Sequence, residues 1–383
     1  MINYPAIPNK IIVVGGNHHN ALGIIRSLGE MGCKVFFITK SNKKSFVSKS
    51  KFITMDWYIE REEELINILM EEFSNEQSKP IIFPSDDDAI KMLDKYMRTL
   101  NKSFILPNIK NKEKAILKYM NKDTMTKLAL NHGFFVPVGC VLDFKKVNDI
   151  EAYLDKYHLK YPCIVKPLQS IGGSKKDIKI CNNFVETKKY LYSLKGIYRE
   201  VIIQEYIEKE AEVGIQGIST INNKEIIIPG IIRKVRQSVL SLGSTTYADI
   251  SVSHPSVDVD KITTLMKSLG YNGIFDMELI LSKGKLYFIE LNFRNGAYGY
   301  ALTKAGINLP YLWCLDAINI DISNHIKKVG RKYTLMSEFA DFRNVITKKL
   351  KFLKWLKQFI EADVYLILNK NDIKPFIYKL LYK

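Results

Sequence analysis

"FIELNFRNG", residues 288–296, sets a carboxylate, an amide and a guanidinium at every second position: Glu290, Asn292 and Arg294 alternate with Ile289, Leu291 and Phe293. In an extended strand alternate side chains share a face, so the polar groups fall on one side and the apolar groups on the other. A half-exposed strand with a solvated outer face would read the same way. The preceding run "FDMELIL", 275–281, alternates too, with Asp276, Glu278 and Ile280 opposed to Met277, Leu279 and Leu281. A three-residue loop over 283–285, built around Gly284, would pair Glu278 with Glu290 and keep both apolar sets on one buried face. A two-residue turn would set Glu278 against Ile289 and mix the faces, so the patterning predicts the longer loop. Glu278 and Glu290 would then be like-charged neighbours with Cβ atoms roughly 5 Å apart, a repulsion that a cation between them removes. Glu278, Glu290 and Asn292 are oxygen donors of the kind Mg²⁺ takes, with substrate phosphates completing the shell. Arg294, one step further on that face, is placed to neutralise charge on a transferring group.

The rest of the chain constrains which chemistry this is. With 383 residues, 46% of them hydrophobic and 25% charged, the chain has a globular composition and is too long for one compact core. Its apolar runs, "IIVV" and "EIIIPGII", fall far short of the roughly 18 residues of a membrane span. The opening "MINYPAIPNKIIVVGG" lacks the layout of a signal peptide, so a cytoplasmic protein is expected. Five scattered cysteines, Cys33, Cys140, Cys163, Cys181 and Cys314, form no CxxC pair and argue for reduced thiols. The net charge of +17, from 57 basic and 40 acidic residues, fits nucleic acid, an anionic membrane or phosphorylated small molecules. No nucleic-acid-binding motif accompanies it.

Residues 10–39 read as strand, Gly15-Gly16 turn, helix and strand, the opening of a doubly wound domain. The spacing of the glycines is wrong for a dinucleotide fingerprint and no acid ends the second strand, so NAD is not expected. "PIIFPSDDDA" ends a strand in Asp86, Asp87 and Asp88. These either face a ligand beyond the sheet or cap a helix with an acidic first turn. "CIVKP" ends an apolar strand in Lys166, followed by a loop with Gly172, Gly173 and Ser174. A lysine beside a glycine-rich loop can hold phosphate, because backbone N–H groups approach oxygens closely there; the same glycines also suit an ordinary turn. "EIIIPGIIRKVRQ" gives a strand with Arg233, Lys234 and Arg236, and "VDVDKITTLMKSLG" a helix stopped by Gly270.

Taken together, these residues resemble the ATP-grasp superfamily over about residues 10–325. The resemblance implies an α/β and α+β fold: a Rossmann-like N-terminal domain (1–108), an ATP-grasp N-terminal subdomain with a glycine-rich lid (109–203), a C-terminal subdomain with the metal site (204–328), and a basic helical extension (329–383). Glu290, Asn292 and Arg294 match the closing Glu-x-Asn-x-Arg motif, and Glu278 the upstream acid. They imply metal ligands at Glu278, Glu290 and Asn292 and a catalytic or phosphate-binding role for Arg294. Lys122 and Lys166 resemble the two lysines on the ATP phosphates, Gly172, Gly173 and Ser174 the lid, Glu205 and Ile207 the adenine hinge, and Glu212 the ribose-binding acid. Lys234 or Arg236 would reach the γ-phosphate or substrate. Phe293 stands where the family usually has proline, and His18-His19 where many relatives carry small residues.

The family chemistry is ATP- and Mg²⁺-dependent, with Mn²⁺ able to substitute. A substrate carboxylate is phosphorylated, and an amine then displaces phosphate. Length and layout resemble carboxylate–amine ligases similar to D-aspartate ligase and the carbamoyl-phosphate synthase large chain, some of which modify cell-wall or capsule precursors. The implied partners are a small carboxylic acid and an amine, with a nucleotide-linked anionic acceptor suiting the +17 charge. "QSVLSLGSTTYADIS", 237–251, is a candidate substrate lining. Residues 344–383 carry nine lysines against three acids, and "KKLKFLKWLKQFI" reads as a basic amphipathic helix. It either docks on an anionic membrane or packs its apolar side on the protein. Two other readings stay open: an ATP-binding regulatory module and a basic nucleic-acid-binding protein.

Overall fold

The computed structural model describes residues 5–40, 45–168, 177–221, 224–239 and 244–382. Gly172, Gly173 and Ser174 lie outside the described residues, as do 240–243 of the candidate substrate lining.

The chain opens with β1 (Ile11–Gly15), α1 (His19–Gly29), β2 (Val35–Thr39), β3 (Ile53–Tyr58), α2 (Glu62–Phe73), β4 (Ile81–Pro84), α3 (Asp87–Lys95) and the short α4 (Met97–Leu100). Its four strands are parallel in the order β3-β2-β1-β4. β1, β2 and β4 are buried at every position, as expected for parallel strands covered on both faces. Next come β5 (Asn108–Ile109), α5 (Ala115–Tyr119), α6 (Lys122–Asn131), β6 (Gly139–Asp143), α7 (Ile150–Lys156), β7 (Cys163–Pro167), β8 (Lys179–Cys181), α8 (Phe184–Leu194) and β9 (Glu200–Glu205). The chain continues through β10 (Ala211–Ser219), β11 (Ile226–Ile227), β12 (Ile231–Gln237), β13 (Thr245–Ser251), α9 (Val259–Leu269), β14 (Tyr271–Ser282) and β15 (Lys285–Asn292). It closes with α10 (Gly299–Lys304), α11 (Leu309–Ala317), β16 (Tyr333–Met336), α12 (Glu338–Ile346), α13 (Phe352–Glu361), β17 (Val364–Tyr365) and α14 (Lys374–Leu381).

These elements fall into two units, one of residues 1–117, 213–277 and 291–383, the other of 118–212 and 278–290. The first holds the parallel sheet and a second sheet in which β14, β10, β12, β13, β16 and β17 are successive neighbours. One core joins them: Ile24, Ile25 and Leu28 of α1 cluster with Ile232, Ile250 and Trp313. The C-terminal stretch is built into this unit by β16 and β17 as well as by its helices, with Val364, Leu366 and Ile367 in the same core. In the second unit β6, β9, β7 and β8 form an antiparallel sheet whose apolar face, Leu142, Cys163, Val165 and Ile203, is covered by Leu154 of α7 and Leu191 of α8.

The hairpin of β14 and β15 corrects one expectation. Its loop is two residues long, Lys283-Gly284, with φ of 49° and 72°, the paired left-handed values of a tight turn whose twist matches its strands. Counted from that turn, Leu279 faces Phe288, and both are buried. Burial along β15 does not alternate strictly: its buried residues Phe288 and Leu291 lie three apart. The assumption of strict alternation made the longer loop look necessary.

Candidate functional site

In the second unit, Asn121 caps α6 by accepting from the Thr124 N–H, which leaves Lys122 at the first helical position. Its Nζ donates to the Pro167 carbonyl at 3.1 Å, beside Lys166. On β7 the core takes Cys163 and Val165, so alternation turns Lys166 to the opposite face. Lys166 is half-buried. Desolvation, followed by the charge of Lys122, lowers its pKa from 10.5 to about 8, while the Glu290 carboxylate pulls it upward. The Lys166 ammonium thus lies within electrostatic reach of both a second lysine and a carboxylate.

Glu205 ends β9 in register with Cys163. Its N–H donates to the Val138 carbonyl at 2.8 Å, and its carboxylate accepts from the Val138 N–H at 2.9 Å. Ile207 follows β9 and is half-buried. Glu212, at the start of β10, pairs with Lys209 at 2.7 Å. Glu278 and Glu290 are half-buried on the hairpin, whose Phe288 N–H donates to the Phe135 carbonyl at 2.8 Å.

The first unit holds the continuation of the opening motif. Phe293 is enclosed, its carbonyl accepting from the Tyr271 hydroxyl at 3.0 Å. Alternation turns Arg294 the other way, where its Nε donates to Asp87 Oδ1 at 2.8 Å and a second nitrogen to Asn292 Oδ1 at 3.3 Å. The three aspartates thereby divide their work. Asp86 caps α3 through the Ala89 N–H at 2.8 Å and accepts from the Gly16 N–H at 2.6 Å; Asp87 holds Arg294; Asp88 lies 3.8 Å from Lys91. A helix cap and an ion pair thus account for Asp86 and Asp87. Gly15 has φ of 152°, and a Cβ there would come within 2.9 Å of the Asp86 carboxylate, so the close approach requires glycine.

His18 caps α1, its Nδ1 accepting from the Asn20 N–H. Desolvation, followed by the charges of Lys379 and Arg294, lowers the His18 pKa from 6.5 to about 4, and desolvation also lowers that of His19. The two imidazole rings stand 3.8 Å apart. Lys234 is buried on β12. Of its neighbours, Arg233 pairs with Asp249 at 2.6 Å, and Arg236 grips Asp341 through two bonds of 2.7 Å.

Reading the sequence did not single out Asn295 or Asp341. Asn295 Oδ1 accepts from Gln216 at 2.5 Å, and its carbonyl accepts from Asn20 at 3.4 Å. It stands one residue past Arg294, out of step with the polar face, and nothing local marks it. Asp341 lies 105 residues from the arginine it fixes, in a stretch read as an appended tail. Among the described residues, no group of three or more His, Cys, Asp or Glu side chains is gathered to hold a metal ion.

Residues 134–305 match the model of the ATP-grasp domain. The chain carries an ATP-grasp domain. Among curated proteins, the carbamoyl phosphate synthase large chain of Lachnoclostridium phytofermentans is 27% identical over 165 residues, 42% of this chain and 15% of that protein. The D-alanine–D-alanine ligase of Petrotoga mobilis is 29% identical over 186 residues, 45% of this chain and 59% of that protein. The chain thus spans a small part of the first relative and just over half of the second. Among solved structures, the L-amino acid ligase from Bacillus licheniformis superposes with a TM-score of 0.63 at 18% identity, covering 85% of this chain and 79% of that one. That similarity concerns the fold. The ATP-grasp domain begins beside Phe134, whose ring packs edge-on against Phe288 at 6.0 Å, and it contains Lys166, Glu205, Glu212, Lys234, Glu278, Glu290, Asn292 and Arg294; Lys122 precedes it.

Proposed function

We propose that the protein is an ADP-forming carboxylate–amine ligase that uses ATP and Mg²⁺. The observation that carries this reading is Lys166: a lysine of the ATP-grasp domain, its pKa lowered to about 8 by burial and by Lys122, with Glu290 in electrostatic range. In this reading Lys122 and Lys166 hold the ATP phosphates, with Gly172, Gly173 and Ser174 over them. Glu205 and Ile207 meet the adenine, and Glu212 takes the ribose. Glu278, Glu290 and Asn292 would hold Mg²⁺, which when bound neutralises phosphate charge. Arg294 and Lys234 stabilise the negative charge that develops on transfer. The substrate carboxylate oxygen attacks the γ-phosphorus as the bond to ADP breaks. The amine nitrogen then attacks the acyl carbon, phosphate leaves, and the nitrogen loses a proton. No side chain forms a covalent intermediate, so positioning and charge carry the rate. The division at residues 108, 203 and 328 is our proposed domain organisation.

Our finer proposal is a D-aspartate-ligase-like role on cell-wall or capsule precursors, with a nucleotide-linked anionic acceptor and contact at an anionic membrane. Supporting the last part, α13 packs Trp355 against Phe342 and Phe359, yet leaves Leu353 77% and Ile360 71% exposed beside Lys351, Lys354 and Lys357. Among the described residues, no helix is long and apolar enough to cross a membrane. Liposomes with and without anionic lipid, mixed with wild type and with Leu353→Ser/Ile360→Ser, test this contact; equal co-sedimentation of the two proteins would remove it.

The deciding experiment measures ADP release from Mg²⁺-ATP against a panel of amino acids, with hydroxylamine trapping the acyl phosphate. Acid-dependent ADP and hydroxamate that vanish in Glu290→Ala are the expected result. Nucleotide binding without turnover for any acid would favour a regulatory module, and failure to bind Mg²⁺-ATP would end the reading.

A further inference from the structure

The first unit contains a cleft of about 510 Å³ that shares no residue with the ATP-handling set. One side is the antiparallel pair of β5 and β14, where Asn108 faces Asn272 and Ile109 faces Tyr271. Another is the C-terminal end of α9, with Lys267 and the left-handed Gly270. Lys79 and Asn101 also line it, tied by a 3.2 Å bond from the lysine to the Asn101 carbonyl.

The lining is chemically one-sided. Lys79, Lys110 and Lys267 contribute three ammonium groups, Asn101, Asn108, Asn111 and Asn272 supply amides, and none of the described lining residues is a carboxylate. Phe104, Ile105 and Leu106 add an apolar wall. Lys110 and Asn111 both take left-handed backbone, with φ of 52° and 54°, which side-chain-bearing residues adopt only when the surroundings impose it. Two contacts impose it here: the Lys110 N–H donates to the Gly270 carbonyl at 3.2 Å, and the Asn111 N–H to Asn108 Oδ1 at 2.9 Å. The first also occupies a carbonyl at the negative end of α9, which would otherwise oppose an anion. Lys110 is further fixed by Gly270, where a Cβ would stand 2.5 Å from Lys110 Cε.

We infer that this cleft binds a small anionic molecule with an apolar or planar body, its phosphate or carboxylate head on Lys79, Lys110 and Lys267 and its body against Phe104 and Leu106. The volume lies within the range of small-molecule sites, roughly 300–1,000 Å³. Ammonium and amide groups are the chemistry that recognises such heads.

The test uses ligand-observed NMR with full-length protein and four probes: phenyl phosphate, benzoate, inorganic phosphate and phenol. Phenyl phosphate or benzoate should bind at least tenfold more tightly than inorganic phosphate, phenol should not bind, and the preferred head names the anion class. Lys110→Glu and Lys267→Glu, each checked for an unchanged melting temperature, should each weaken binding tenfold or more, and Glu290→Ala should leave it intact. Absence of binding by both organic anions would overturn the inference. So would equal binding by both lysine variants, or complete displacement by Mg²⁺-ATP, which would place the probe on Lys122 and Lys166.

Discussion

Two cations, one in each unit, are treated in opposite ways. Arg26 of α1 is completely buried and paired: its guanidinium meets Asp372 at 2.9 Å, the Ile367 carbonyl at 2.8 Å and the Asp372 carbonyl at 2.9 Å. Lys166 is held beside a second lysine, and its pKa falls to about 8. A compensated buried charge fixes the fold, because either partner alone would be stranded. A lysine whose pKa is lowered by desolvation and by a neighbouring lysine is instead a candidate functional group. The first arrangement ties α1 to the C-terminal residues; the second is the feature on which our proposed ATP site rests.

The comparison breaks most readily at Arg26. Arg26→Met strands Asp372 and should cost about 3–5 kcal/mol in urea unfolding, while the folded fraction keeps its nucleotide affinity. A loss below about 1 kcal/mol would mean the pair is no anchor. Lys166→Met should do the reverse. Stability holds or rises, and Mg²⁺-ATP affinity by calorimetry drops by about 1.5–3 kcal/mol, the value of a charged hydrogen bond.

Titration sharpens the same contrast. The folded-state pKa of Lys166 lies below its ordinary 10.5, at about 8. The cost of burying its charged form is therefore present below pH 8 and fades as pH rises from 8 to 10.5. Wild type should gain stability relative to Lys166→Met across that window, while nucleotide affinity of wild type declines as the ammonium deprotonates. Lys166→Arg should hold its affinity flat there, since arginine stays charged. Smaller still, Asp86→Ala removes a helix cap and should cost about 1 kcal/mol. Asp87→Asn, losing a half-exposed pair with Arg294, should cost less than about 1 kcal/mol in stability.

Much of the fold was legible along the chain. The Gly270 stop after α9 and the buried strand β1 both follow from periodicity and end signals, which are local properties. The placement of Lys166 at the end of an apolar strand was legible for the same reason. The hairpin register was not. Strict alternation argued for a three-residue loop, whereas Lys283-Gly284 turns in two and the buried residues of β15, Phe288 and Leu291, stand three apart. Asp86–Asp88 were ambiguous because capping and ligand binding call for the same carboxylates at the same strand end.

By itself the sequence determined which segments are strands and helices, where the chemistry-bearing residues stand on them, and that they resemble an ATP-grasp set. Only the tertiary structure decided how charge is apportioned. It set Lys122 beside Lys166 across 44 positions, Asp87 on Arg294 across 207, Asp341 on Arg236 across 105 and Asp372 on Arg26 across 346. Alternation and helical period are short-range consequences of backbone geometry, so sequence spacing carries them. Burial and ion pairing depend on which distant segments the core brings together, and spacing along the chain carries no record of that.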